Sequence, residues 1–259
     1  MCLKCCGDPS LPLPHFRTCK SNYILPSFAH VELNTLLLPL GIIPALFLLY
    51  FVIGSHDGKF KEGYIFLTFV AGIIIGAIIY LIEGMTLYPM LAGAIYLNVV
   101  IVFSLIFSFL EQLVKLAVLN MKKFSDEGLP LYGASFGFGF SSTLAPLLFG
   151  RTLELGWENA MLFVLPIAAL MINGSTGMFI AAGIKRNMRK QYFFVAVIMG
   201  AVMWLYLLAS VISSLIGYHI MSSVSAACAL VFSGAIMYVT YKEGLPHAMM
   251  SRRELRKLL

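Results

Sequence analysis

The sequence predicts an all-α fold, a polytopic membrane bundle of about seven transmembrane helices, and three observations predict it. Hydrophobic residues make up 60% of the chain and charged residues only 12%, a balance that excludes an ordinary soluble domain. Long uncharged runs recur from Leu36 to Tyr241. The runs are continuous and long enough for spanning helices, whereas a β-barrel would need short alternating strands. The net charge of +6 reads as basic loops at an inner membrane surface, with the lipid bilayer as partner and no nucleic acid.

Residues 1–33 are polar, interrupted by prolines and rich in cysteine, without the basic, apolar and small-residue pattern of a cleavable signal peptide. Cys2, Cys5, Cys6 and Cys19 lie here, and His15 precedes Cys19 at a spacing that suits a metal. A small zinc site on Cys2, Cys5, His15 and Cys19, a set of disulfides, acylation of Cys2, Cys5 and Cys6, and a tail without fixed structure are all open readings.

Seven runs follow, about 34–54, 63–83, 88–120, 130–150, 158–184, 192–216 and 220–241. The third and fifth exceed what a bilayer needs, so each is expected to tilt, break or extend past the hydrocarbon. Pro166 and the triplet Asn173-Gly174-Ser175 predict that the fifth is bent or locally unwound near its middle. Small residues mark helix contacts: Gly72 and Gly76 in the second run, Gly133, Gly137 and Gly139 in the fourth, and Ser222 to Ala227 in the seventh. Absence of a clear repeat argues against a transporter built from two related halves.

The basic residues set a topology. Lys59, Lys61, Lys122, Lys123, Lys185, Arg186, Arg189, Lys190, Lys242, Arg252, Arg253, Arg256 and Lys257 fall on one side of the seven runs; Lys4, Arg17, Lys20 and Arg151 fall on the other. The positive-inside rule then places the N-terminus outside and the C-terminus in the cytoplasm of a multi-pass cell-membrane protein. Three regions result: an extracytoplasmic cysteine-containing tail over 1–33, a membrane domain over 34–241, and a basic cytoplasmic tail over 242–259. An extracytoplasmic tail favours disulfides over acylation. Ser251 and Glu254 open the last region as a possible capping box, ahead of a short basic amphipathic stretch on the inner leaflet.

The third run holds two charges, Glu111 and Lys115, four residues apart with the acid first, the favourable order for a helical ion pair. Placing either in hydrocarbon costs roughly 2.5 to 3.5 kcal/mol on insertion scales, so both are expected to face protein or a wet cavity. A stapled structural pair and a functional site both fit this spacing.

Three segments around that pair occur in a telling order. Glu111-Gln112-Leu113-Val114-Lys115 is followed by the basic turn Met121-Lys122-Lys123-Phe124. Next comes the glycine-rich Gly137-Phe138-Gly139-Phe140-Ser141-Ser142-Thr143-Leu144, and last Ile172-Asn173-Gly174-Ser175-Thr176-Gly177 running to Lys185-Arg186. Residues 110–184 thereby resemble the YhfC and PrsW branches of the glutamate-type intramembrane metallopeptidase superfamily, which includes the CAAX-prenyl endopeptidases and the seven-pass scaffold subunit of gamma-secretase. The resemblance implies Glu111 as the catalytic position and Gln112, Lys115, Gly137, Gly139 and Asn173 as lining a substrate or partner groove. It also shows what is lost: the second glutamate of the motif is Gln112, the glutamate of the glycine-rich helix is missing around Thr143 and Leu144, and the histidine is Asn173.

Zinc chemistry agrees with that loss. The five histidines, His15, His30, His56, His219 and His247, lie in tails or at the ends of runs, and the amides of Gln112 and Asn173 are poor zinc ligands. Glu111 would be the only strong ligand, too few for a metal-activated water. Ser141 and Ser142 lack a histidine in a neighbouring run to act as base. The expectation is a non-catalytic relative that binds or scaffolds a membrane-protein partner, without a cofactor in the membrane. Two alternatives stay open: an active zinc peptidase of the YhfC and PrsW type, and a small transporter or channel using Glu111, Lys115 and Asn173.

Overall fold

The computed structural model describes residues 29–54, 56, 58, 60–92, 97–124, 126–146 and 163–246. Among them every regular element is helical. In chain order these are α1 (Ala29–Ile53), α2 (Glu62–Ala92), α3 (Leu97–Leu119), a 3-10 turn (Lys122–Phe124), α4 (Leu129–Ser141), α5 (Val164–Lys185), α6 (Arg189–Ile216) and α7 (His219–Val239), which continues into a π-turn, Thr240–Gly244. Five segments are long and apolar enough to cross a membrane: Glu62–Leu87, Leu97–Leu119, Val164–Lys185, Arg189–Ile216 and His219–Gly244. The chain is a helical membrane protein. Its cysteine tail, with Cys2, Cys5, His15 and Cys19, and its C-terminal residues from 247 lie outside the described residues.

The described helices fall within the apolar runs, but two boundaries differ from expectation. The start of the long third run belongs to α2, which continues to Ala92, and α3 begins only at Leu97. The second run, expected to end near 83, carries on: α2 passes through Glu83, which is enclosed in protein. The fifth run is not unwound at Asn173-Gly174-Ser175. There α5 is continuous, because Pro166 sits in its first turn, where a missing N–H breaks no intrahelical bond, and Gly174 is tolerated in a tightly packed helix.

The bundle is built around α4. Its 13 residues are all buried, and at about 1.5 Å per residue it is some 20 Å long, short of the roughly 30 Å hydrocarbon layer. A helix so enclosed has neighbours on every side, and its glycines permit this. A methyl group on Gly133 would strike the backbone of Gly177 on α5, and one on Gly137 the carbonyl of Asn173. On the opposite side, Gly139 meets the backbone of Phe69 on α2, where Gly72 in turn admits Phe136. Close approach here comes from missing side chains, so packing in this layer tolerates no added volume.

Two apolar clusters fill the bundle. One joins Ile65, Phe69, Phe124, Leu129, Tyr132, Met178 and Ala196 at the end where α2, α4 and α6 begin. The other joins Tyr80, Phe107, Phe140, Leu165, Trp204 and Leu208 toward the opposite end. The first end is tied by polar bonds: the Lys61 backbone N–H donates to the Tyr132 hydroxyl at 3.0 Å, which donates to Asp126 at 2.9 Å, and Asp126 also accepts the Gly128 N–H. Lys61, Lys122, Lys123, Arg186, Arg189, Lys190 and Lys242, all exposed, gather at this end. At the other end α6 turns directly into α7 through Gly217, whose φ of 91° suits glycine and ends the helix.

Candidate functional site

The polar residues of the interior collect where the two apolar clusters meet. On α3 the buried positions Ser104, Ser108, Glu111, Gln112 and Lys115 follow the helical repeat and form one stripe facing α5 and α6. Ser108 donates to the Val197 carbonyl at 2.7 Å, which holds α6 against this stripe, and a side chain on Gly200 would collide with Ser108.

Lys115 is fully buried. Its ammonium donates to Gln112 Oε1 at 3.2 Å, to Thr176 Oγ1 at 3.0 Å and to Asn173 Oδ1, and it lies 5.4 Å from the centre of the Phe140 ring. An ammonium has three N–H donors, and all three are used. Because Lys115 can only donate, Asn173 must turn its oxygen toward it. The Asn173 amide nitrogen then donates to Ser141 Oγ at 2.6 Å and stands 3.5 Å from the Tyr80 hydroxyl, while Ser141 donates to the Ala169 carbonyl at 3.0 Å. The three helices that carry the sequence motifs, α3, α4 and α5, therefore meet in one hydrogen-bonded network.

Glu111 does not pair with Lys115, which corrects the reading of their spacing. Its carboxylate accepts from Trp204 Nε1 on α6 at 3.0 Å, so the acid and the base at i and i+4 turn to different neighbours. Their charges still act on one another, and a third buried charge acts on both. Glu83, on α2, is 2% exposed and interacts electrostatically with Glu111 and Lys115. Among the described residues neither of its oxygens has a hydrogen-bond partner.

Each predicted site residue of the membrane helices thus has a place. Glu111, Gln112, Lys115 and Asn173 lie in the network, with Gln112 and Asn173 as acceptors for Lys115. Gly137 and Gly139 are helix contacts and open onto no groove, since both are packed against backbone. Sequence reasoning overlooked Glu83, Tyr80, Thr176 and Trp204. For Glu83 a signal existed: an acid followed by the further apolar stretch Met85-Thr86-Leu87 is an intramembrane charge, and such a residue is a functional candidate by default.

No family model, curated protein or solved structure matches this chain. The site is accordingly judged on its own chemistry.

Zinc is the metal that the resemblance implies, and the residues do not fit it. A catalytic zinc takes three ligands from Cys, His and carboxylate, and among the described residues no three such side chains lie together. The oxygens of Gln112, Asn173 and Thr176 that converge at the motif positions are neutral and are engaged by the Lys115 ammonium. Ser141 has Asn173 beside it in place of a base, and of the described histidines His56 follows α1 and His219 opens α7. The arrangement holds a cation in place with neutral dipoles and supplies no activated nucleophile.

Proposed function

We propose that the chain is a non-catalytic relative of the glutamate-type intramembrane metallopeptidases that binds a membrane-protein partner. In this reading it crosses the cell membrane seven times, with its N-terminus outside and its C-terminus in the cytoplasm. Support for the relationship comes from the convergence of the three motif segments: Gln112 and Lys115, Ser141, and Asn173 lie far apart in sequence yet share one network. Support for the orientation comes from the exposed basic residues clustered at one end of the bundle.

The observation that carries the non-catalytic reading is the use made of Lys115. Its ammonium takes up the acceptor atoms at the motif positions, so a positive charge belonging to the protein stands where the superfamily needs a reactive centre. What remains is a rigid bundle with broad apolar faces, such as Leu105, Ile106, Phe109 and Leu113 along the outside of α3. Such faces suit lipid or another transmembrane helix, and a superfamily that includes a scaffold subunit favours the helix.

Metal analysis and photo-crosslinking test this together. Protein purified in detergent and offered zinc should retain none after gel filtration, and should leave labelled transmembrane peptides intact. A photo-reactive residue at Phe109 or Leu113 should give one discrete protein adduct in native membranes. Equimolar zinc with peptide cleavage would restore the peptidase reading, and adducts to lipid alone would remove the partner.

A further inference from the structure

Among the described residues two carboxylates, Glu83 and Glu111, and one fully enclosed lysine, Lys115, lie at the middle of the bundle, which leaves one acid there without a counterpart. Glu83 is where that deficit falls. Glu111 has Trp204 as a donor and Lys115 close by, whereas both oxygens of Glu83 are buried and accept no hydrogen bond from the described residues. The other groups facing this cluster bring no charge: Tyr80 lies one turn from Glu83 on the same face of α2, α4 supplies Ser141, α5 supplies Asn173 and Thr176, and α6 supplies Trp204. An isolated carboxylate in a medium of low dielectric is too costly to persist uncompensated, so a positive charge must reach it or form on it.

We propose that Glu83, together with Glu111, is a binding site for one monovalent cation, a proton or an alkali-metal ion, held near the middle of the bundle. The ligand is monovalent because the deficit is a single charge. A divalent ion would reverse the imbalance, and the donor set around Lys115 is already closed by its own hydrogen bonds. The acceptor atoms on offer are carboxylate oxygens and the Tyr80 hydroxyl, hard oxygen donors that suit a proton or an alkali ion and not a soft metal. Lys115 has a definite part in this site: as a fixed ammonium it cancels one carboxylate and leaves a demand for one exchangeable charge instead of two. The site stands whether or not the chain binds a membrane partner, since it rests on the enclosed charges of Glu83, Glu111 and Lys115 and not on any outward face of the bundle.

Two measurements on the full chain in detergent decide between the two sources and test the site itself. The first is the infrared carbonyl band of a buried protonated carboxyl group, and the second is thermal unfolding in sodium chloride against N-methyl-D-glucamine chloride at one ionic strength and pH. A protonated-carboxyl band in the wild type, with no sodium effect, assigns the proton. An upward shift of Tm in sodium, without that band, assigns the alkali ion. In either case Glu83→Gln and, independently, Glu111→Gln should abolish the signal, because one carboxylate and one ammonium are already balanced. Wild-type protein that shows neither signal overturns the proposal, and so does a signal that survives in both variants. If Glu83→Gln does not fold, the wild-type spectra and Glu111→Gln still give the answer.

Discussion

Lys115 and Glu83 are buried to the same degree and could hardly be more differently served. Lys115 has three acceptors and an aromatic face, while Glu83 has no hydrogen-bond partner among the described residues. The difference traces to the helix that each one faces. Lys115 looks at α5 where Gly133, Gly137 and Gly177 let α4 and α5 close on one another, so that Asn173 and Thr176 are delivered at hydrogen-bond distance. Glu83 lies a turn beyond Tyr80, which hydrogen bonds with Ser141 at the very end of α4. α4 itself ends there. Burial alone therefore does not tell an anchoring charge from a functional one; the number of partners does, and backbone proximity sets that number.

The harshest way to break this contrast is to force α4 and α5 apart. Gly137→Leu would drive a branched side chain into the Asn173 backbone and dismantle the Lys115 site, so we expect little or no folded protein by detergent gel filtration. Next in size is Lys115→Met, which leaves Asn173, Gln112 and Thr176 with unmatched polar atoms. A loss of about 3 to 5 kcal/mol is expected, the range for breaking a buried charged network. Asn173→Leu should cost a similar amount, and the double variant should cost much less than the sum, since the two residues act as a unit. Additive effects in that cycle would show that Lys115 does not depend on Asn173.

Trp204→Phe is milder and separates Glu111 from Lys115. It removes one donor to a buried carboxylate, an interaction worth about 1.5 to 3 kcal/mol, and keeps most of the ring packing against Phe107. The sequence alone suggested that Glu111 and Lys115 would be strongly coupled. The structure adds Trp204 as a direct hydrogen-bond partner of Glu111, so Glu111 should show coupling to Trp204 as well as to Lys115, measured by thermal unfolding of the single and double variants.

The helical membrane class could be read from composition and run length because both are local properties. Gly133 and Gly137 were legible as contact residues for the same reason, although their partners were not. What could not be read was partner choice. The i and i+4 spacing of Glu111 and Lys115 places them on one face, but whether they meet depends on Trp204 and Asn173, 93 and 58 positions distant from their respective partners. Glu83 falls at the edge of an apolar run, where the sequence alone does not tell an exposed charge from an enclosed one. Only the enclosure by other helices reveals that α2 continues to Ala92. Asn173-Gly174-Ser175 looked like a break for a related reason, since poor helix formers are tolerated where packing against α4 outweighs propensity.

The smallest expected effect is the one that most sharpens the comparison. Glu83→Gln keeps the shape of the side chain and removes its charge. If Glu83 has no partner in the protein, the substitution breaks no hydrogen bond, and a buried amide replaces a buried carboxyl of nearly equal demand. Its stability in sodium-free buffer should stay within about 1 kcal/mol of wild type, against the several expected for Lys115→Met. Glu111→Gln should fall between them, because it weakens the bond to Trp204 while relieving some repulsion from Glu83. The order Lys115→Met, Glu111→Gln, Glu83→Gln, from most to least destabilised, is thus the signature of one well-served and one unserved charge. Thermal unfolding of the three variants in one detergent measures it. A loss for Glu83→Gln as large as that for Lys115→Met would mean that Glu83 is held by a strong partner, and the contrast between the two residues would fail.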